Sequence, residues 1–93
     1  MFIGVLEITL FIPNAASLKD KRHVVKSLIE TTRQKFNVSI AEVDHLDKWQ
    51  VATIGIACVA NEHKYLNTVL DKVIDLIESS PLYEVTGIER SIE

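Results

Sequence analysis

The sequence predicts an α+β fold in which two helices cover one face of an antiparallel four-stranded sheet. Three observations carry this. Apolar residues alternate with period two in four short runs. They recur about every 3.6 residues in two longer runs. The six runs follow one another as strand, helix, strand, strand, helix, strand. A strand–helix–strand unit closes as a right-handed crossover, and two such units joined by a hairpin make the split βαβ, or ferredoxin-like plait (βαββαβ).

The first strand is expected over Phe2–Ile12, where Phe2, Leu6, Ile8, Leu10 and Ile12 share one parity and Glu7 and Thr9 take the other. Pro13 and Asn14 end it. Ser17 then caps a helix, with Asp20 placed for a capping box. Leu18, Val25, Leu28, Ile29, Thr32 and Phe36 form its apolar stripe, and Asn37 is expected to end it in a left-handed cap. Val38–Leu46 reads as the second strand and Trp49–Ala60 as the third, with a polar hairpin between them. Asn61 is the expected cap of a second helix whose core stripe is Leu66, Val69, Leu70, Val73 and Ile77. Ser79-Ser80-Pro81 stops it, and Tyr83–Ile92 supplies the last strand, whose charged residues protect an edge.

Ninety-three residues suffice for one domain spanning 1–93, with no linker or repeat. A hydrophobic content of 47% and a charged content of 25% exclude a disordered chain, and the net charge of −3 calls for no polyanion on its own. The single cysteine, Cys58, allows no intrachain disulfide and reads as a small apolar strand residue. The N-terminal stretch lacks the basic flank of a signal peptide, and no apolar run approaches the about 20 residues of a membrane span. The expectation is a soluble protein of a reducing, cytoplasmic compartment.

The sheet is expected to be apolar on both faces. The parity opposite to the core row gives Ile3, Val5 and Phe11 on the first strand, and Trp49, Val51, Ala57 and Val59 on the third. Two helices on one side leave this patch uncovered, and large exposed apolar patches mark interfaces. The expected occupant is a second copy, giving a homodimer through Ile3, Val5, Phe11, Trp49, Val51 and Val59. The alternative is a cover of loops or chain ends.

Few residues suggest catalysis. Glu42, Asp44, His45 and Asp47 are the one dense group of ligand-type side chains. On a regular strand Glu42 and Asp44 share a face and could hold a metal, but zinc would need further His or Cys at defined spacing. No Ser–His–Asp arrangement is visible, and isolated Gly4, Gly55 and Gly87 build no phosphate loop, so neither an enzyme nor a cofactor is expected. The first helix is more suggestive. At about 100° per residue, Lys19, Arg22, Lys26 and Arg33 fall within about 60° of one another, with His23 beside them and Glu30 the one acid on the ridge. Lys21 falls inside the apolar arc, where it is expected to snorkel outward from the first turn.

Two segments carry more than pattern. Residues 15–22, Ala-Ala-Ser-Leu-Lys-Asp-Lys-Arg, resemble the "SLKxKR" helix start of the YlxP-like proteins, small bacterial proteins without an assigned function. Residues 35–50, KFNVSIAEVDHLDKWQ, are similar to that family's "KFNVSxAEVDxxDxWQ" segment. The resemblance implies a ferredoxin-like fold and brings no established activity. Genes of that family often stand among those for transcription elongation, translation initiation and ribosome maturation, which implies a role near the ribosome or its RNA. The leading expectation is therefore a non-enzymatic accessory protein touching RNA or a ribosomal protein through Lys19, Lys21, Arg22 and Lys26. A second reading is a small metal- or ligand-binding module or enzyme using Glu42 and Asp44. A third is a homodimeric assembly module with no ligand.

Overall fold

A computed structural model describes all residues, Met1–Glu93. The elements are β1 (Phe2–Phe11), α1 (Leu18–Lys35), β2 (Ser39–Asp44), β3 (Val51–Ala60), α2 (His63–Glu78) and β4 (Glu84–Ile92). All strand pairs are antiparallel and the sheet order is β2-β3-β1-β4. This is the ferredoxin-like plait that the element order predicts.

The core follows the two periodicities. Leu6, Ile8 and Leu10 of β1 alternate inward and meet Ile54 and Ile56 of β3 and Leu70, Val73 and Ile77 of α2, all buried, and Leu66 of α2 is buried as well. α1 adds Val25 and Leu28, and its buried Thr32 satisfies its hydroxyl on the Leu28 carbonyl at 2.8 Å. Gly4 lies under α2, where a Cβ would stand 3.1 Å from Leu70 Cδ1.

The helix ends differ in part from expectation. Ser17 does cap α1: its hydroxyl accepts the Asp20 N–H at 3.1 Å, and the Asp20 carboxylate accepts the Ala16 N–H at 3.0 Å. Asn37 forms no left-handed cap. Phe36 already turns the chain to extended geometry, and its N–H closes the last turn on the Thr32 carbonyl. Asn61 does not cap α2 either, since the boundary falls at Glu62, which makes no side-chain cap bond.

The β2–β3 hairpin departs most from a regular ladder. Ala41 pairs with Gly55 and Glu42 with Ile54, but Asp44 pairs with Thr53, so the register slips across Val43. His45, the one non-glycine residue with positive φ (60°), completes the kink. β2 therefore stops at Asp44 and β3 starts at Val51, leaving Trp49 in the turn and not on the sheet face where the parity placed it. Gln50 still ties this turn to β1, donating to the Pro13 carbonyl at 3.0 Å.

The helices leave one sheet face open. Ile3, Val5, Val51 and Ala57 are half-buried there by their strand neighbours alone, while Phe11 and Val59 are exposed at 36% and 62%. Glu7, Thr9 and Thr53 cross the middle of this face, so its apolar surface divides into two ends.

Candidate functional site

The start of α1 separates into a buried cation and an exposed basic recess. Lys21 is 0% exposed, contrary to the snorkelling expected of it. Its Nζ lies 2.8 Å from Glu42 Oε2 and donates towards the carbonyls of His45 (2.8 Å), Leu46 (3.3 Å) and Val51 (3.3 Å). Glu42 Oε2 is itself buried and accepts no aligned hydrogen bond, so the charge of Lys21 is what compensates it. Lys21 thus clamps the first turn of α1 to both arms of the β2–β3 hairpin. It cannot touch an outside partner, and it leaves the set of candidate contact residues.

The same clamp changes the reading of the acidic hairpin. Glu42 stands opposite Ile54 on the helix side, where Lys21 holds it. The bulge at Val43 places Asp44 opposite Thr53, whose residue lies on the open face. There Asp44 accepts the His45 N–H at 2.7 Å, and His45 Nδ1 shares a hydrogen with Thr53 Oγ1 at 2.9 Å. The two carboxylates expected to share a face are on opposite sides of the sheet and converge on no common ion. No group of three or more His, Cys, Asp or Glu side chains comes together elsewhere.

Lys19, Arg22, His23 and Lys26 behave differently. These residues alone line a surface recess of about 400 Å³. The two salt bridges of the chain are Lys21–Glu42 and Arg90–Asp71, so none of the three cations at the recess is neutralised by a close carboxylate. Arg33, expected on the same ridge, turns away: its Nη2 donates to the Ile40 carbonyl on the β2 edge at 3.1 Å. Glu30 lines the neighbouring groove between α1 and β2 together with Arg22, Lys26 and Arg33.

Lys21 pins the β2–β3 turn against α1, and that turn carries exposed Leu46 and Trp49. Of the residues in the two resembling segments, Ser17, Lys21, Glu42, Asp44 and Gln50 have structural employment as cap, clamp and turn bonds. Lys19 and Arg22 face solvent with no such partner.

A family model described as "Protein of unknown function (DUF503)" matches residues 3–90. The chain belongs to this family. One family relative, the uncharacterized protein YlxP of Bacillus subtilis (strain 168), is 39% identical over 84 residues, covering 90% of this chain and 91% of that protein. Among solved structures, a de novo designed protein with a ferredoxin fold, determined by solution NMR, superposes with a TM-score of 0.54. It covers 100% of this chain and 86% of the designed one at 16% identity, a likeness of fold alone. Family membership confirms the resemblance carried by residues 15–22 and 35–50 and assigns no activity. No helix is long and apolar enough to cross a membrane.

Proposed function

We propose that the protein is a non-enzymatic accessory factor that binds RNA through the exposed recess at the start of α1. One observation carries the reading: in a chain of net charge −3, Lys19, Arg22 and Lys26 gather with His23 around one recess, and no carboxylate pairs with them. Unpaired cations on one helix face suit a phosphate backbone, which each of them neutralises with release of a counterion. Their spacing supports an extended strand, since Lys19 and Lys26 stand about 10 Å apart along the helix axis at about 1.5 Å per residue. Arg22 lies between them. Lys21 has no part in the contact, and its role is to hold the helix start against the hairpin.

The test is binding of ribosomal RNA and ribosomal subunits to the full chain and to the triple variant Lys19→Glu, Arg22→Glu, Lys26→Glu. The wild type is expected to bind and to weaken as salt rises. The variant is expected to lose binding while keeping its melting temperature, because none of its three residues carries a fold contact. Absence of wild-type binding, or equal binding by the variant, contradicts the proposal.

A further inference from the structure

The basic recess adjoins a second hollow of different chemistry. Arg22 and Lys26 line the recess, and they also line the groove of about 450 Å³ between α1 and β2. The recess has only Lys19, Arg22, His23 and Lys26 around it, whereas the groove has an apolar floor. Val25 and Ile29 supply that floor from α1, and Ile40 supplies it from β2.

The charges around the groove differ in how they are held. Glu42 lines it, but buried Lys21 compensates its carboxylate at 2.8 Å. Arg33 bounds the far end, about 10 Å beyond Lys26 along the helix axis. It keeps its charge there, because its Nη2 donates to the neutral Ile40 carbonyl. Glu30 is the one carboxylate of the lining with no cation in salt-bridge range. The groove therefore offers an apolar floor, cations at its rim and an ionised carboxylate, which can only accept hydrogen bonds. A flat ring with N–H groups, tethered to a phosphate, matches all three. An added peptide strand does not: β2 is an edge of the sheet, but Arg33 already occupies its Ile40 carbonyl.

We infer that the RNA is single-stranded where it crosses α1, with one unstacked base in this groove and the flanking phosphates on Arg22 and Lys26. The inference rests on the RNA reading and adds the form of the RNA to it. A duplex keeps its bases paired and stacked, and its A-form surface offers phosphates and 2′-hydroxyls. It would engage the recess and leave the groove empty. A single strand can splay a base outward, lay it on Val25, Ile29 and Ile40, and turn its N–H edge to Glu30.

Anisotropy titrations of the full chain test this with three labelled probes of about 12 nucleotides: a single-stranded RNA, the same RNA annealed to its complement, and an abasic ribose-phosphate strand. The wild type is expected to bind the single strand at least about tenfold tighter than either other probe. Ile29→Gln makes the floor polar and leaves the rim charges as they are. It should weaken the single strand about tenfold and leave duplex binding unchanged, with circular dichroism checking the fold. Ile29 also packs against the core, so a second measurement uses the wild type alone. A 4-thiouridine at mid-strand is expected to cross-link within residues 22–33 or 40–42, the two segments that form the groove. Equal binding of the three probes, or cross-links confined to other segments, overturns the inference and leaves the recess as a phosphate site. Displacement of the strand by an equimolar mononucleotide gives the groove to a free nucleotide and also overturns it. A wild type that binds none of the probes removes the RNA reading, and this inference with it.

Discussion

Lys21 shows how one side chain can be misread from periodicity and still leave a trace. It occupies the apolar arc of α1, a position where a charge is costly without a partner. Its partner, Glu42, has the inward parity of Ile40 on β2. A lysine and a glutamate that both fall on core-facing positions are a signal for a buried pair, but joining them requires knowing that α1 packs beside β2. Breaking the pair leaves Glu42 and three carbonyls without the ammonium, so Lys21→Met should cost about 3–5 kcal/mol in urea unfolding. Adding Glu42→Leu should recover part of this by removing the orphaned carboxylate. The carbonyls of His45, Leu46 and Val51 remain short of a donor, so recovery stays incomplete. A second buried polar group behaves differently. Tyr83 donates to the Ile77 carbonyl at 2.6 Å, and burial pushes its phenol above the ordinary value of 10.0, opposed in part by the hydrogen bond with Ser80. The native state thus holds the phenolic proton more tightly than the unfolded chain. This contribution is fully present below pH 10 and is lost as pH rises from there through the folded-state pKa. Urea midpoints between neutral and strongly alkaline pH should fall more steeply for the wild type than for Tyr83→Phe, which should itself lose about 1 kcal/mol at neutral pH for the missing hydrogen bond.

At the scale of elements, β1 and α2 were legible because nothing interrupts their periods. Leu6, Ile8 and Leu10 keep strict alternation, and Leu66, Leu70, Val73 and Ile77 keep helical spacing. The hairpin was not, because a bulge changes parity without changing composition. Glu42 and Asp44 look equivalent in the sequence, and the register slip at Val43 sends them to opposite faces. Gly55 records the same event from the other strand: a Cβ there would lie 2.8 Å from Val43 Cγ1. Gly55→Ala should therefore destabilise the chain by about 1–3 kcal/mol through crowding. Combining it with Val43→Ala, which vacates the clashing methyls, should remove most of that cost, as thermal unfolding of the two single variants and the pair would show. The basic ridge of α1 was legible for the same reason as the helices: Lys19, Arg22 and Lys26 follow from angle alone. Arg33 has the right angle, yet it serves the Ile40 carbonyl, a contact set by tertiary packing.

Charge is unevenly spread over the whole molecule, with Glu7, Glu84 and Glu89 on the open sheet face and Lys19, Arg22 and Lys26 gathered at the start of α1. This arrangement gives the chain two separate surfaces, an open sheet face with apolar ends and acidic residues, and a basic helix start. The net charge of −3 conceals the second, since totals do not report where charges lie. The central claim is that three specific cations, and not Lys21, meet phosphate. The most direct measurement is the slope of log K against log salt concentration for RNA binding by single variants. Replacing Lys19, Arg22 or Lys26 by alanine should each make the slope shallower by about 0.7–0.9. Lys21→Met, measured where the variant is still folded, should leave the slope unchanged. Equal slopes for all four variants and the wild type would contradict the account.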